Sequence, residues 1–310
     1  MENVDASAQS QSSGPTGGSI IFGAWVPSEF HLEDMTRDQQ RAAIQILLGN
    51  GFREYYFVMK DYANATEVKT TEELLRSADG TGLGILIILL PPSEGGSSAN
   101  YHWRGWIDYF NSLKSKHQSF LGFAIDDFNA SGKTRRVYHF NNVDRMNLTG
   151  LPEALSHKRE DVQFYPVMYL ETGEFETVGT EYNKYTTGLI LVSTLYQNIT
   201  YLESQLIRIS EMFHDEPIKF IIYPTKSSDH TPSDRLMMAT LSVASRRVDG
   251  LIMYVDTDHY VIRDYLRNYN DPLYMSALRE MERLQIADEI AQPLSSNRLA
   301  QLLLYYGTLI

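Results

Sequence analysis

The chain has 310 residues, 43% hydrophobic and 21% charged, which is enough apolar material for one large domain or two ordinary ones around a sizeable core. A formal charge of -12 and a pI near 5.1 argue against nucleic acid or anionic membrane as partner, because phosphate neutralisation needs clustered Lys and Arg. The dense basic spots (Lys133, Arg135 and Arg136, then Arg246 and Arg247) are short, and the absence of cysteine excludes zinc–thiolate sites, thiol catalysis and disulfides.

Residues 1–18 are polar and rich in Ser and Gly, with no apolar core of a signal peptide, and are expected to form a disordered leader. "SIIFGAWVP" (19–27) then reads as a buried strand. "TRDQQRAAIQILLGNG" follows as a helix, with apolar residues at helical spacing and a Gly stop. "REYYFVMKDY" (53–62) is an aromatic-rich strand, and "TTEELLRSADG" a helix opening on Thr with Glu in its first turn. "LGILIILLPP" (83–92) is an unbroken apolar run ended by two prolines, and "YHWRGWIDYFNSLKSKH" is a third helix.

The alternation continues through "FLGFAIDDF" (120–128), "VQFYPVMYLET" (162–172), "GLILVSTLY" (188–196), "IKFIIYPT" (218–225) and "GLIMYVDTD" (250–258). "ITYLESQLIRISEMFHDE" and "SDRLMMATLSVASRRV" are helices between the later strands. Residues 129–161 and the stretch from Thr172 to Tyr185 read as polar connections. Strands that are apolar throughout are buried on both faces, which calls for a parallel sheet with helices outside it. Eight such units over residues 19–260 fit an α/β fold of the (β/α)8 barrel type, with residues 261–310 forming C-terminal helices packed on it. An open doubly wound sheet is the rival. It normally carries a Gly-rich phosphate loop after its first strand, where this chain has "WVPSEFH".

Barrel enzymes gather their chemistry at the C-terminal ends of the strands. The first strand ends in Trp25, followed by Ser28 and Glu29. The second ends in Lys60 and Asp61, the fourth in Asp126 and Asp127, and the fifth in Tyr169 and Glu171. The sixth supplies Ser193, Thr194 and Tyr196, the seventh Tyr223 and Lys226, and the eighth Asp256, Asp258 and His259. A rim of carboxylates and tyrosines with a lysine and a tryptophan suits a carbohydrate. Two carboxylates in a partly desolvated cleft do not ionise independently: one keeps a proton as general acid while the other stays anionic. Glycoside cleavage uses that division. An Asp at a strand end also caps helices and accepts loop amides, so each carries a structural reading beside the catalytic one. Trp103 and Trp106, three apart on a helix, read as inward packing, and Trp25 as the better stacking surface for a sugar.

"GFAIDDF" resembles the fourth-strand motif of the N-acetylglucosaminidase barrels of glycoside hydrolase family 84, where adjacent aspartates end an apolar strand. "YYFVMKDY" is similar to that family's second strand, and Tyr223-Pro224 resembles its seventh more loosely. The resemblance implies that Asp126 orients and polarises the substrate's acetamido group, which acts as nucleophile. It implies Asp127 as general acid/base, Lys60 as a hydrogen-bond donor to the sugar and Tyr169 as support for the acetamido pocket. The first strand ("FGAWVPS") and the end of the seventh ("TKSSDH") depart from the family pattern.

A non-catalytic carbohydrate-binding barrel and a metal-dependent hydrolase stay open beside this reading. For the latter, Asp256, Asp258 and His259 form a carboxylate–histidine cluster, and no H-x-H or H-x-x-x-H pattern occurs. Serine-hydrolase, P-loop and dinucleotide fingerprints are absent, so no cofactor is expected. No apolar run approaches a membrane span. Four Asn-x-Ser/Thr sequons, at Asn64, Asn129, Asn147 and Asn198, are candidate glycan acceptors and fit the expectation of an extracellular or cell-surface protein.

Overall fold

A computed structural model of the chain describes residues 21–25, 32, 35–49, 52–91, 102–128, 148–171, 175–193, 199–222, 240, 243–244 and 246–254. Among the described residues there are eight strands: β1 (Ile21–Trp25), β2 (Phe52–Val58), β3 (Gly84–Leu89), β4 (Phe120–Ile125), β5 (Gln163–Tyr169), β6 (Leu189–Val192), β7 (Ile218–Ile222) and β8 (Gly250–Tyr254). Each pairs in parallel with the next in sequence, and β8 closes on β1. The continuous apolar runs thus form a (β/α)8 barrel rather than an open sheet.

Period-two alternation sorts the strand residues into two layers. Tyr56, Leu86, Ile88, Ala124, Tyr165, Val167, Ile190 and Val192 fill the barrel interior. Their neighbours Tyr55, Phe57, Ile87, Phe123 and Phe164 face outward and pack beneath the helices. Phe123 stacks between Phe110 and Phe164, with ring centroids 4.5 and 4.9 Å away.

The inner layer is polar near its N-terminal end. Lys219 (β7) places its Nζ 2.8 Å from both carboxylate oxygens of Glu54 (β2), both side chains being almost fully buried. Tyr56 Oη donates to Glu54 Oε2 at 2.5 Å, and the Lys219 ammonium lies 4.3 Å above the Tyr165 ring. Burial pushes that ammonium below its ordinary value, and the Glu54 carboxylate opposes the shift. Glycine makes room for this group: Gly23, opposite Glu54 in the ladder, would drive a β-carbon into the Tyr56 ring.

Helices α1 (Arg37–Gly49), α2 (Ala65–Ala78), α3 (Trp103–Lys116) and α6 (Ile199–Met212) follow β1, β2, β3 and β6. Trp103 and Trp106 are buried on α3, as their spacing implies. Helix α2 begins well before Thr70. Asn64 is its cap, accepting from the Thr66 and Glu67 amides at 2.9 and 3.3 Å. Two segments read as connections contain structure. A short helix α4 (Leu151–Leu155) lies between β4 and β5, held by buried Leu151, Ala154 and Leu155. Between β5 and β6, α5 (Phe175–Thr177), with Phe175 buried, runs into a π-helical turn (Val178–Tyr182) whose Val178 and Tyr182 are buried. No helix among the described residues is long and apolar enough to cross a membrane. The leader, residues 261–310 and the sequons at Asn129, Asn147 and Asn198 lie outside the described residues.

Candidate functional site

Strands β2 and β4 end at Val58 and Ile125, so Lys60, Asp61, Asp126 and Asp127 lie in the turns beyond them, whereas Trp25 and Tyr169 are the last residues of β1 and β5. Strand β4 ends at Ile125, and Asp126 extends its ladder by one bond, its amide donating to Leu89 O at 2.9 Å. The Asp127 amide donates to Asp126 Oδ1 at 3.0 Å. Asp127 itself has φ of +48°, the left-handed region, where among non-glycine residues Asn and Asp are at least cost. Phe128 then buries its ring against Phe164 and Tyr182 and donates its amide to Val167 O at 3.0 Å. Both carboxylates therefore sit just beyond β4, at the C-terminal rim.

Burial raises the Asp127 carboxyl above its ordinary value, and a side-chain hydrogen bond with Tyr169 opposes the rise. Tyr169, the last residue of β5, is half-buried on top of the interior cluster. The structure thus brings together Asp126, Asp127 and Tyr169. Two residues beyond Tyr169, Glu171 accepts from Ser193 Oγ at 2.6 Å, and the Leu170 amide donates to Val192 O at 2.8 Å. These bonds join the β5 and β6 rims.

At β2, Lys60 and Asp61 sit beyond the strand rather than in it. Both amides donate to Glu67 Oε2, at 2.8 and 2.9 Å, and Asp61 Oδ1 accepts from the Ala63 amide at 2.8 Å. Asp61 therefore closes its own Asx turn, a structural use of that carboxylate, while the Lys60 side chain is exposed. Next to it, Tyr62 hydrogen-bonds His102 Nδ1 and sets its ring edge-on to Trp106 at 4.9 Å.

Trp25 ends β1 in register with Tyr56 and Tyr254, and its side chain is outside the described set. So are Ser28, Glu29, Thr194, Tyr196, Tyr223, Lys226, Asp256, Asp258 and His259. Among the described residues no three His, Asp or Glu side chains gather as metal ligands.

Two residues at this rim carry no sequence signal. Glu67 lies ahead of the helix expected from Thr70, and its oxygen holds the Lys60 and Asp61 amides. Tyr201, in the first turn of α6, has its phenol raised by burial and then by the Glu171 charge, so it belongs to the β5–β6 side of the rim.

The chain superposes on a psychrophilic endo-β-1,4-xylanase of glycoside hydrolase family 10 with a TM-score of 0.51 and 11% identity, over 77% of this chain and 86% of the other. It also superposes on catalytic-site mutants of active domain 2 of a chitinase from Pyrococcus furiosus, with a TM-score of 0.50 and 10% identity, over 77% and 84%. The likeness is one of fold. The sequence matches no protein-family model and no curated protein.

Proposed function

We propose that the protein is a glycoside hydrolase acting on N-acetylhexosamine-containing glycans through Asp126 and Asp127. One observation carries the reading. Asp127 is held in a left-handed turn at the mouth of the barrel, partly desolvated, hydrogen-bonded to Tyr169 and next in sequence to a second carboxylate. Non-glycine residues are kept in such backbone conformations where the surroundings over-determine them, and such sites cluster where chemistry is done. A carboxyl raised by burial keeps a proton to donate, which is what a leaving glycosidic oxygen requires.

In this mechanism Asp126 orients the substrate's acetamido group, whose carbonyl oxygen attacks the anomeric carbon as the glycosidic C–O bond breaks. Asp127 gives its proton to the departing oxygen. It then takes a proton from the water that opens the cyclic intermediate, and two inversions at one carbon give net retention. Lys60 hydrogen-bonds the sugar, and Tyr169 supports the acetamido pocket. The resemblance of "GFAIDDF" and "YYFVMKDY" to family 84 barrels supports these roles at their matching positions. The same reading puts the protein outside the cell or at its surface, where such glycans are met.

The test compares 4-nitrophenyl N-acetylglucosaminide with the corresponding glucoside, which lacks the acetamido group. The proposal expects hydrolysis of the first only, with retention of configuration by proton NMR and no effect of a chelator. Equal hydrolysis of both removes acetamido participation, and loss of turnover to a chelator favours a metal-dependent hydrolase. A non-catalytic glycan-binding barrel is the competing reading, favoured by the use of Asp126 Oδ1 to hold the Asp127 amide. Retained glycan binding with no turnover on any glycoside would establish it.

A further inference from the structure

We infer that Phe128, seated on Tyr182 of the π-helical turn, is the positioning residue that holds Asp127 at the rim. The inference rests on the reading of Asp127 as the acid and adds a structural cause for its placement.

The cause lies in a break of alternation. Along a regular strand, residues two apart face the same side. Ala124 belongs to the barrel interior, yet Phe128, four residues on, belongs to the outer layer with Phe123 and Phe164. The chain must therefore rotate between them, and the rotation is taken up at Asp127, whose φ is +48°. Two contacts keep the rotation in place. The Phe128 amide donates to Val167 O at 3.0 Å, in the neighbouring strand. The Phe128 ring, 3% exposed, meets Tyr182 edge-on at 5.1 Å and 88°, and Phe164 at 6.1 Å and 61°.

Tyr182 is the last residue of the π-helical turn and is itself buried. π-helical turns are rare and recur near functional sites. Here the turn supplies a seat for the residue after Asp127. Without the seat, Asp127 is free to return to negative φ, and its carboxyl leaves Tyr169 for water.

The experiment uses Phe128→Ala, Phe128→Leu and Tyr182→Leu in the full chain. The Asp127 carboxyl is followed by carbon-13 NMR titration against the neighbouring titratable groups Asp126 and Tyr169, and kcat and KM are measured on the N-acetylglucosaminide. In the wild type Asp127 is expected to titrate above the ordinary carboxylate value, because it is buried. In Phe128→Ala it is expected to fall back towards that value, with smaller shifts in Phe128→Leu and Tyr182→Leu. The expected loss in kcat for Phe128→Ala is about 10²-fold, the scale of an ångström-sized misplacement of a reacting group, with KM little changed. An Asp127 titration unmoved in folded Phe128→Ala overturns the inference. If that variant does not fold, an unmoved titration in both other variants does so. The titration needs no turnover, so an inactive wild type refutes the glycosidase reading while the positioning is still decided by NMR.

Discussion

Replacing Glu54 with Gln removes one charge from the barrel interior while keeping its volume. Lys219 would then hold an ammonium buried to 2% exposure against a neutral amide, in place of a carboxylate whose two oxygens both lie 2.8 Å away. Breaking a buried pair by removing one partner costs about 3–5 kcal/mol. The lower end applies, because the Gln oxygen still accepts one bond and burial already pushes Lys219 towards its neutral form. At about 2–4 °C per kcal/mol for a large domain, roughly 3 kcal/mol corresponds to a fall of about 10 °C in Tm. Replacing the whole group is a different perturbation. Glu54→Leu with Lys219→Met leaves Tyr56 Oη without its acceptor, a further cost of about 1–3 kcal/mol. Adding Tyr56→Phe removes that cost, and the triple variant is expected to recover most of the loss, as all-apolar replacements of buried ion pairs do. Urea unfolding and calorimetry on wild type, single and triple variants give the comparison. A Glu54→Gln cost below about 1 kcal/mol, or a triple variant as unstable as the single, would refute the reasoning.

Other perturbations address the helix ends, the barrel packing and the rim. Burial raises Asp79, but hydrogen bonds from His117 and from the Ser119 amide and hydroxyl more than offset it, so its carboxyl lies below the ordinary 3.8. A depressed folded value stabilises above the unfolded value and is lost as pH falls through the folded one. The Tm gap between wild type and Asp79→Asn is therefore expected to hold near neutrality and to close below about pH 4, and a gap that widens with acid contradicts this. Gly122→Ala pushes a β-carbon into the Gln163 backbone and is expected to cost about 1–3 kcal/mol by equilibrium unfolding. Tyr169→Phe removes the hydrogen bond that opposes the burial of Asp127, so the Asp127 carboxyl rises further. An acid is lost as pH rises through its pKa, so the alkaline limb of the pH–rate profile should move to higher pH, and movement the other way excludes Tyr169 as the tuning group.

The barrel was legible because its strands are apolar on both faces. Runs such as "LGILIILL" admit few other buried structures once helical patterns separate them. Strand ends were less legible, since an apolar run continues into the turn: Met59 and Phe128 are buried without being in β2 or β4. The start of α2 was misread because Asn64 caps a polar first turn that lacks hydrophobic period. The π-helical turn was missed for a like reason, its two buried residues, Val178 and Tyr182, being spread through a polar stretch. At the rim, Asp126 and Asp127 announce themselves as a doubled charge. By contrast, the Glu171–Ser193 bond and the approach of Tyr201 join residues 22 and 30 positions apart and exist only once β5, β6 and α6 are assembled. The Glu54–Lys219 pair spans 165 positions across the barrel and has no local signal at all.

The central claim is that Asp127 is the acid of a glycosidase, and Asp127→Asn tests it most directly, because the amide keeps the shape and hydrogen-bonding reach of the side chain but has no proton to give. Initial rates on 4-nitrophenyl N-acetylglucosaminide and on an unactivated N-acetylglucosamine disaccharide should be measured for wild type and variant together. The account predicts that turnover of the disaccharide falls by about 10²–10⁴-fold, the usual contribution of a positioned general acid, while the nitrophenyl substrate, whose leaving group needs less protonation, loses less. Disaccharide hydrolysis that survives Asp127→Asn at the wild-type rate would contradict it.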